Sequence, residues 1–264
     1  MMMNFLSDLR RIALDAGREI MAIYNTDFKA AEKADGSAVT EADEVAERLI
    51  VKELQSLKDS APILAEEAAS RGEIPDLGQR FFLVDPLDGT REFVNRTHEF
   101  TVNIALVEGG TPIAGIVLAP ALNKVWIGAV GEGAFAQEID GAKGTTTGDR
   151  TPISARPRPE ASLIAVASRS HRSAETEALL SQLGVADFKP AGSSLKFCLV
   201  AEGEADVYPR LGRTMEWDTA AGQAVLMAAG GRVNVLDGTE EGGPLTYGKA
   251  ERGYDNPHFI AWGA

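Results

Sequence analysis

Phe5, Leu9, Ile12, Ala16, Ile20 and Ile23 recur every three or four residues, which predicts an amphipathic helix over residues 4–25. Residues 33–39 are polar around Gly36 and read as a loop. Thr40 then offers a hydroxyl to cap a second helix, continued by Val45, Leu49 and Leu54. Residues 62–65 are a short apolar strand ending at Glu66-Glu67, and residues 81–84 are another, running into Asp85-Pro86-Leu87-Asp88-Gly89-Thr90. Residues 100–107 and 113–118 flank a Glu-Gly-Gly-Thr-Pro turn and read as a β-hairpin. Strand-like pieces follow at 124–130 and 133–137.

Residues 140–160 are rich in Gly, Thr, Arg and Pro and mark a boundary, dividing the chain into units 1–150 and 151–264. Beyond it the pattern predicts strands at 163–167, 205–208, 232–235 and 258–261, with helices at 173–183, 194–202 and 218–229. Helix pairs with antiparallel strands therefore precede an alternation of α and β, which is an α/β (α+β) chain.

Composition narrows the function. Across 264 residues, 44% are apolar and 25% charged, ordinary for a globular protein. No apolar run approaches the ~20 residues of a membrane span. The first residues carry no signal-peptide pattern, and the plain expectation is cytoplasmic. Cys198 is the only cysteine, which excludes an internal disulfide and a thiolate zinc cluster. His98, His171 and His258 are scattered. With 26 basic and 39 acidic residues the net charge is −13, which disfavours nucleic acid and anionic membranes as partners. An anionic substrate would need a bound cation to invert the local sign.

Acids stand where local structure does not demand them. Asp85 and Asp88 follow an apolar strand, Asp218 opens an Ala-rich helix, and Glu66 ends a strand. Strand ends and helix starts converge in such folds. Two carboxylates ~5 Å apart repel by on the order of 3 kcal/mol at an effective dielectric near 20, so a gathering of four calls for a cation. Carboxylates with a backbone carbonyl suit Mg²⁺. Each acid also has a local reading: Asp88-Gly89 as a turn, Asp218 as a helix cap, Asp43 as the acidic half of a capping box with Thr40, and Glu66 as a solvated strand end.

Taken together, the motifs are more specific. Asp85-Pro-Leu-Asp-Gly-Thr90 resembles the first signature of the inositol monophosphatase superfamily, and Trp217-Asp-Thr-Ala-Ala-Gly222, closed by Gly230-Gly231, resembles the second. Val39-Thr-Glu-Ala-Asp43 and Leu64-Ala-Glu-Glu67 match its two other acidic elements, in order. The resemblance implies a layered αβαβα sandwich. It implies that Glu66, Asp85, the Leu87 carbonyl, Asp88 and Asp218 hold two or three Mg²⁺ ions, and that Thr90 with Asp43 orients the attacking water. It also implies inhibition by lithium, and it allows a homodimer.

The resemblance extends to the substrate. Thr90-Arg-Glu-Phe93 is similar to the 3′(2′),5′-bisphosphate nucleotidase branch, where inositol-specific members show a Thr-x-Asn-Phe type of sequence. Gly192-Ser193-Ser194-Leu195-Lys196 is similar to that branch's substrate-facing segment; read alone, it is a helix N-cap. Gly89 and Thr90 amides suit a phosphate oxygen, and Arg210 suits a second phosphate through its planar fork. The substrate-binding set expected is thus Gly89, Thr90, Gly192, Ser193, Ser194, Lys196, Arg210 and Asp218. The activity implied is hydrolysis of the 3′-phosphate of adenosine 3′,5′-bisphosphate. An inositol or sugar phosphatase of the same superfamily and a non-catalytic phosphate-binding module are the alternatives. His98 has no assigned role.

Overall fold

The computed structural model describes residues 2–32, 38–167 and 174–264. Residues 33–37 of the loop expected at 33–39, and the start of the helix expected from Ser173, lie outside them. The long helix α1 (Met2–Tyr24) is followed by two short paired strands, β1 (Ala30–Glu32) and β2 (Ala38–Thr40), so Val39 is extended and paired rather than loop. Helix α2 (Glu41–Gln55) starts at the expected cap, Thr40.

Next come β3 (Ile63–Ala65), α3 (Glu66–Ser70), β4 (Arg80–Asp88), α4 (Thr90–Val94), β5 (Thr101–Glu108), β6 (Thr111–Ala119), β7 (Lys124–Ala129), β8 (Gly133–Asp140), β9 (Thr145–Thr146) and β10 (Thr151–Ile153). Strands β3 to β10 build one sheet in the order β10-β8-β7-β6-β5-β4-β3, with β9 beside β8. Only β3 runs parallel to its neighbour, and Gly109-Gly110, both at positive φ, make the β5–β6 hairpin turn.

The second sheet uses β11 (Leu163–Ala167), β12 (Val185–Pro190), β13 (Val207–Arg210), β14 (Arg232–Asp237), β15 (Glu240–Pro244) and β16 (Phe259–Trp262), in the order β12-β11-β13-β16-β14-β15. Helices α5 (Ala174–Gln182), α6 (Leu195–Ala201) and α7 (Glu216–Ala228) complete the chain. Thr151–Ile153 still pairs with the first sheet, so the crossing to the second falls between Ile153 and Leu163.

Alternation along the strands sorts the cores. Phe82, Val84, Ile104 and Leu106 point to α1 and α2, whereas Leu83, Ala105 and Val117 face α6 and α7. On their other side α6 and α7 meet Val166, Tyr208, Val233 and Phe259 of the second sheet. Leu179 and Leu180 of α5 cover that sheet's outer face. The layers are therefore helix, sheet, helix, sheet, helix, the αβαβα order expected. The middle layer is tight: a Cβ at Gly115 would lie 2.5 Å from the Ala221 carbonyl, and one at Gly128 2.6 Å from Val225 Cα. That contact seats the middle of α7 directly on β6 and β7.

Candidate active site

The first acidic motif, expected directly after the strand at 81–84, is itself the bulged end of β4. Asp85 pairs with Asn103 and Asp88 with Thr101, and the register slips between them at Pro86-Leu87. A bulge tolerates a proline, which has no N–H to give the ladder. It leaves two acids three residues apart at one end of the sheet. Asp85 is buried, and its Oδ1 accepts the Leu87 N–H at 3.0 Å.

Glu66 arrives from the neighbouring strand. Since Ala65 pairs with Val84, the next residue of each chain, Glu66 and Asp85, meet carboxyl to carboxyl. The buried Glu47 carboxylate fixes the start of α3 by accepting the Glu67 and Ala68 N–H groups at 2.7 and 2.9 Å. Asp218 comes from the other half of the chain, in the first turn of α7, where its Oδ2 accepts the Met215 N–H at 2.8 Å. The cap reading of Asp218 is thus correct for one oxygen, while its carboxyl also shares the field of Glu66, Asp85 and Asp88.

That shared field is costly. Burial, then Glu66, Asp88 and Asp218, push the Asp85 carboxyl well above the usual carboxylate range. Burial, Asp88 and Glu66 do the same to Asp218, with the Met215 N–H and Arg210 opposing. Burial raises Asp88, and Lys196, the Ser194 amide and Asn103 pull it back. As the side chains stand, no group of three or more His, Cys, Asp or Glu residues among the described residues is gathered into a set that could hold a metal ion. The donor chemistry nevertheless fits a hard cation: the four acids offer oxygen only, and burial together with their mutual repulsion disfavours the charged forms of Asp85 and Asp218, which a bound cation would relieve.

Asp43 and Thr90 meet as expected. Thr90 Oγ1 lies 3.0 Å from Asp43 Oδ1 and 3.2 Å from the Leu87 carbonyl. Asp43 Oδ2 accepts from Thr40 N and Thr40 Oγ1, both at 2.7 Å, so the capping box and the contact with Thr90 use different oxygens of one carboxylate.

A pocket of about 150 Å³ opens beside the acids. Its wall includes Asp88, Gly89, Gly192, Ser193, Lys196, Arg210 and Asp218. Gly89 sits at φ +90, and a Cβ there would lie 2.3 Å from Ser193 Oγ, so only glycine fits this corner. Ser193 Oγ is shared between the Asp88 and Glu99 carbonyls at 2.9 and 2.8 Å. Lys196 is buried with Nζ on the Ser193 carbonyl at 2.7 Å, and burial pulls its pKa down to about 8. Arg210 donates through Nη2 to the Arg213 carbonyl at 3.1 Å, and its buried Nε has no partner.

Ser194 departs from expectation. It is buried and off the pocket wall, donating its hydroxyl to the Asp218 carbonyl at 2.8 Å. Sequence reasoning missed Glu92, Tyr208 and Thr214 on the wall and Asn103 and Thr101 beneath Asp88. An Asn inside an otherwise apolar strand, Val102-Asn103-Ile104, was the one signal available. His98 proves structural: its Nδ1 pairs with Tyr24 OH at 3.0 Å, tying the end of α1 to the segment after α4.

The fold and site define the class, and comparison with known proteins agrees. The model of the inositol monophosphatase family matches residues 3–259. The 3′(2′),5′-bisphosphate nucleotidase CysQ of Escherichia coli K12 is 43% identical over 96% of this chain and 98% of its own length. CysQ of Buchnera aphidicola is 38% identical over 98% of this chain and 93% of its own. The crystal structure of CysQ from Bacteroides thetaiotaomicron, at 39% identity, superposes with a TM-score of 0.78 over 98% of this chain and 97% of that one. An IMPase from Thermotoga maritima, 25% identical, gives 0.74 over 98% and 92%. The chain belongs to the inositol monophosphatase family, whose members are metal-dependent.

Proposed function

We propose that this chain is a magnesium-dependent 3′(2′),5′-bisphosphate nucleotidase that converts adenosine 3′,5′-bisphosphate to AMP and phosphate. The observation that carries the reading is the pocket whose wall brings Asp88 and Asp218 together with Lys196 and Arg210. A substrate with one phosphate to cleave and another to hold uses both sets. The full-length likeness to CysQ nucleotidases supports it.

Glu66, Asp85, the Leu87 carbonyl, Asp88 and Asp218 would hold two or three Mg²⁺ ions. Bound there, magnesium supplies positive charge to the phosphoryl oxygens and the leaving oxygen, and makes water more acidic. The protein's own groups do the rest. Thr90 donates its proton toward Asp43 Oδ1, which leaves Oγ1 lone pairs to accept a proton from the attacking water. Water oxygen bonds to phosphorus as the phosphorus–O3′ bond breaks, and the departing ribose oxygen takes a proton from solvent. Asp43 stays aligned because Thr40 holds its other oxygen. Lys196 and Arg210 grip the second phosphate, Arg210 with its unpartnered Nε. Gly89, without a side chain, makes room for Ser193 Oγ on the pocket wall.

Phosphorus NMR on adenosine 3′,5′-bisphosphate tests this. The 3′ resonance should give way to inorganic phosphate while the 5′ resonance persists as AMP. Loss of the 5′ resonance instead would contradict the placement.

A further inference from the structure

Asn103 occupies β5 between Val102 and Ile104 and is fully buried. Its Nδ2 donates to Ser194 Oγ at 2.9 Å and reaches Asp88 Oδ2 at 3.4 Å. Ser194 Oγ donates in turn to the Asp218 carbonyl at 2.8 Å, and the Ser194 amide also serves Asp88. An unbroken line of hydrogen bonds therefore runs from Asp88 through Asn103 and Ser194 to the first turn of α7. It crosses from the first sheet to the middle helical layer, linking acids supplied by the two halves of the chain.

The same amide carries a cost that packing does not explain. Asn103 Oδ1 is buried with no hydrogen-bond partner. A buried acceptor left unpaired costs free energy, and an apolar residue of that shape would avoid the penalty. Flipping the amide would turn Oδ1 onto the Asp88 carboxylate. The orientation that satisfies Asp88 and Ser194 leaves Oδ1 alone.

We propose that Asn103 and Ser194 form a strut that fixes Asp88 relative to Asp218 and so sets the affinity for magnesium, a reading that rests on the metal ligands proposed above. Neither side chain touches substrate; both are positioning residues. Groups of this kind, acting behind metal ligands, change affinity by 10- to 100-fold when removed.

The test is magnesium binding without substrate, followed by calorimetry and by the fluorescence of Trp217, which adjoins Asp218. Ser194→Ala and Asn103→Leu are made singly and together, with circular dichroism reporting on folding; either single variant that folds is sufficient. The strut predicts binding weaker by about tenfold or more for each, with the double variant losing less than the product of the two singles, because Asn103 Nδ2 donates to Ser194 Oγ while the Ser194 amide still reaches Asp88 in both. At saturating magnesium the substrate KM should move much less than the magnesium constant. Binding within twofold of the original protein in a folded single variant overturns the strut, and so do losses that multiply in the double. An original chain that binds no magnesium contradicts the metal ligands themselves, and the strut with them.

Discussion

Thr90 Oγ1 and Asp43 Oδ1 are 3.0 Å apart, while the second oxygen of Asp43 closes the capping box of α2. One carboxylate thus both starts a helix and holds the Thr90 hydroxyl. Asp218 repeats the device, with one oxygen on the cap of α7 and its carboxyl among the other acids. A helix cap fixes a side chain within its first turn, so the two acids are oriented before any ligand arrives.

Thr90→Ala should lower kcat by about 100-fold with little change in KM, since general-base assistance contributes about 10²–10⁴. Thr90→Ser should keep most of the rate. Steady-state kinetics at saturating magnesium separate the cases, and an equal loss in both variants would remove the hydroxyl from the reaction.

Asp85→Asn and Asp218→Asn should leave under a tenth of the magnesium-dependent turnover with the fold intact. The metal-free proteins should also be more stable than the parent, because each change removes charge from a group of mutually repelling buried acids. Thermal melts in chelator check this, and a lower melting temperature in both would contradict the repulsion.

A pH effect follows from the same acids. Asp85 and Asp218 hold their protons more tightly in the folded state than when unfolded. Folding is then favoured as the pH falls, opposite to a salt-bridged carboxylate. Metal-free protein should melt higher as the pH drops from neutrality toward the carboxylate range, until other acids protonate. Magnesium should flatten that slope, and an unchanged slope would argue against these acids as its ligands.

How legible was all this in the sequence? Helix α1 was readable from its three-to-four apolar spacing, α2 from that spacing and the Thr40 cap, and α7 from the alanines that follow Asp218. The end of β4 was not, because Pro86 breaks the strand pattern and a bulge has no periodicity. Strands β12 and β15 were missed: β15 is Glu-Glu-Gly-Gly-Pro, exposed throughout, and is strand only because β14 pairs with it. The acids of the site were visible as residues out of place. Which serine of the Gly192-Ser193-Ser194 turn lines the pocket was not, because two serines in sequence carry no sign of which one the first sheet and α7 enclose.

The second phosphate has its own signature. Arg210→Ala should raise KM for the bisphosphate at least tenfold more than for a monophosphate. Lys196, with a pKa near 8, is a cation below that pH and neutral above it. KM for the bisphosphate should therefore climb as the pH passes 8, and Lys196→Arg should remove the climb. Equal losses on both substrates, or a KM flat to pH 9, would take these cations out of the phosphate grip.

The central claim is tested most directly by phosphate release with and without magnesium, offering adenosine 3′,5′-bisphosphate, inositol 1-phosphate and fructose 1,6-bisphosphate in parallel. Release should require magnesium and show a clear preference for the nucleotide. A preference for either sugar ester, or no release from any of the three, would contradict it.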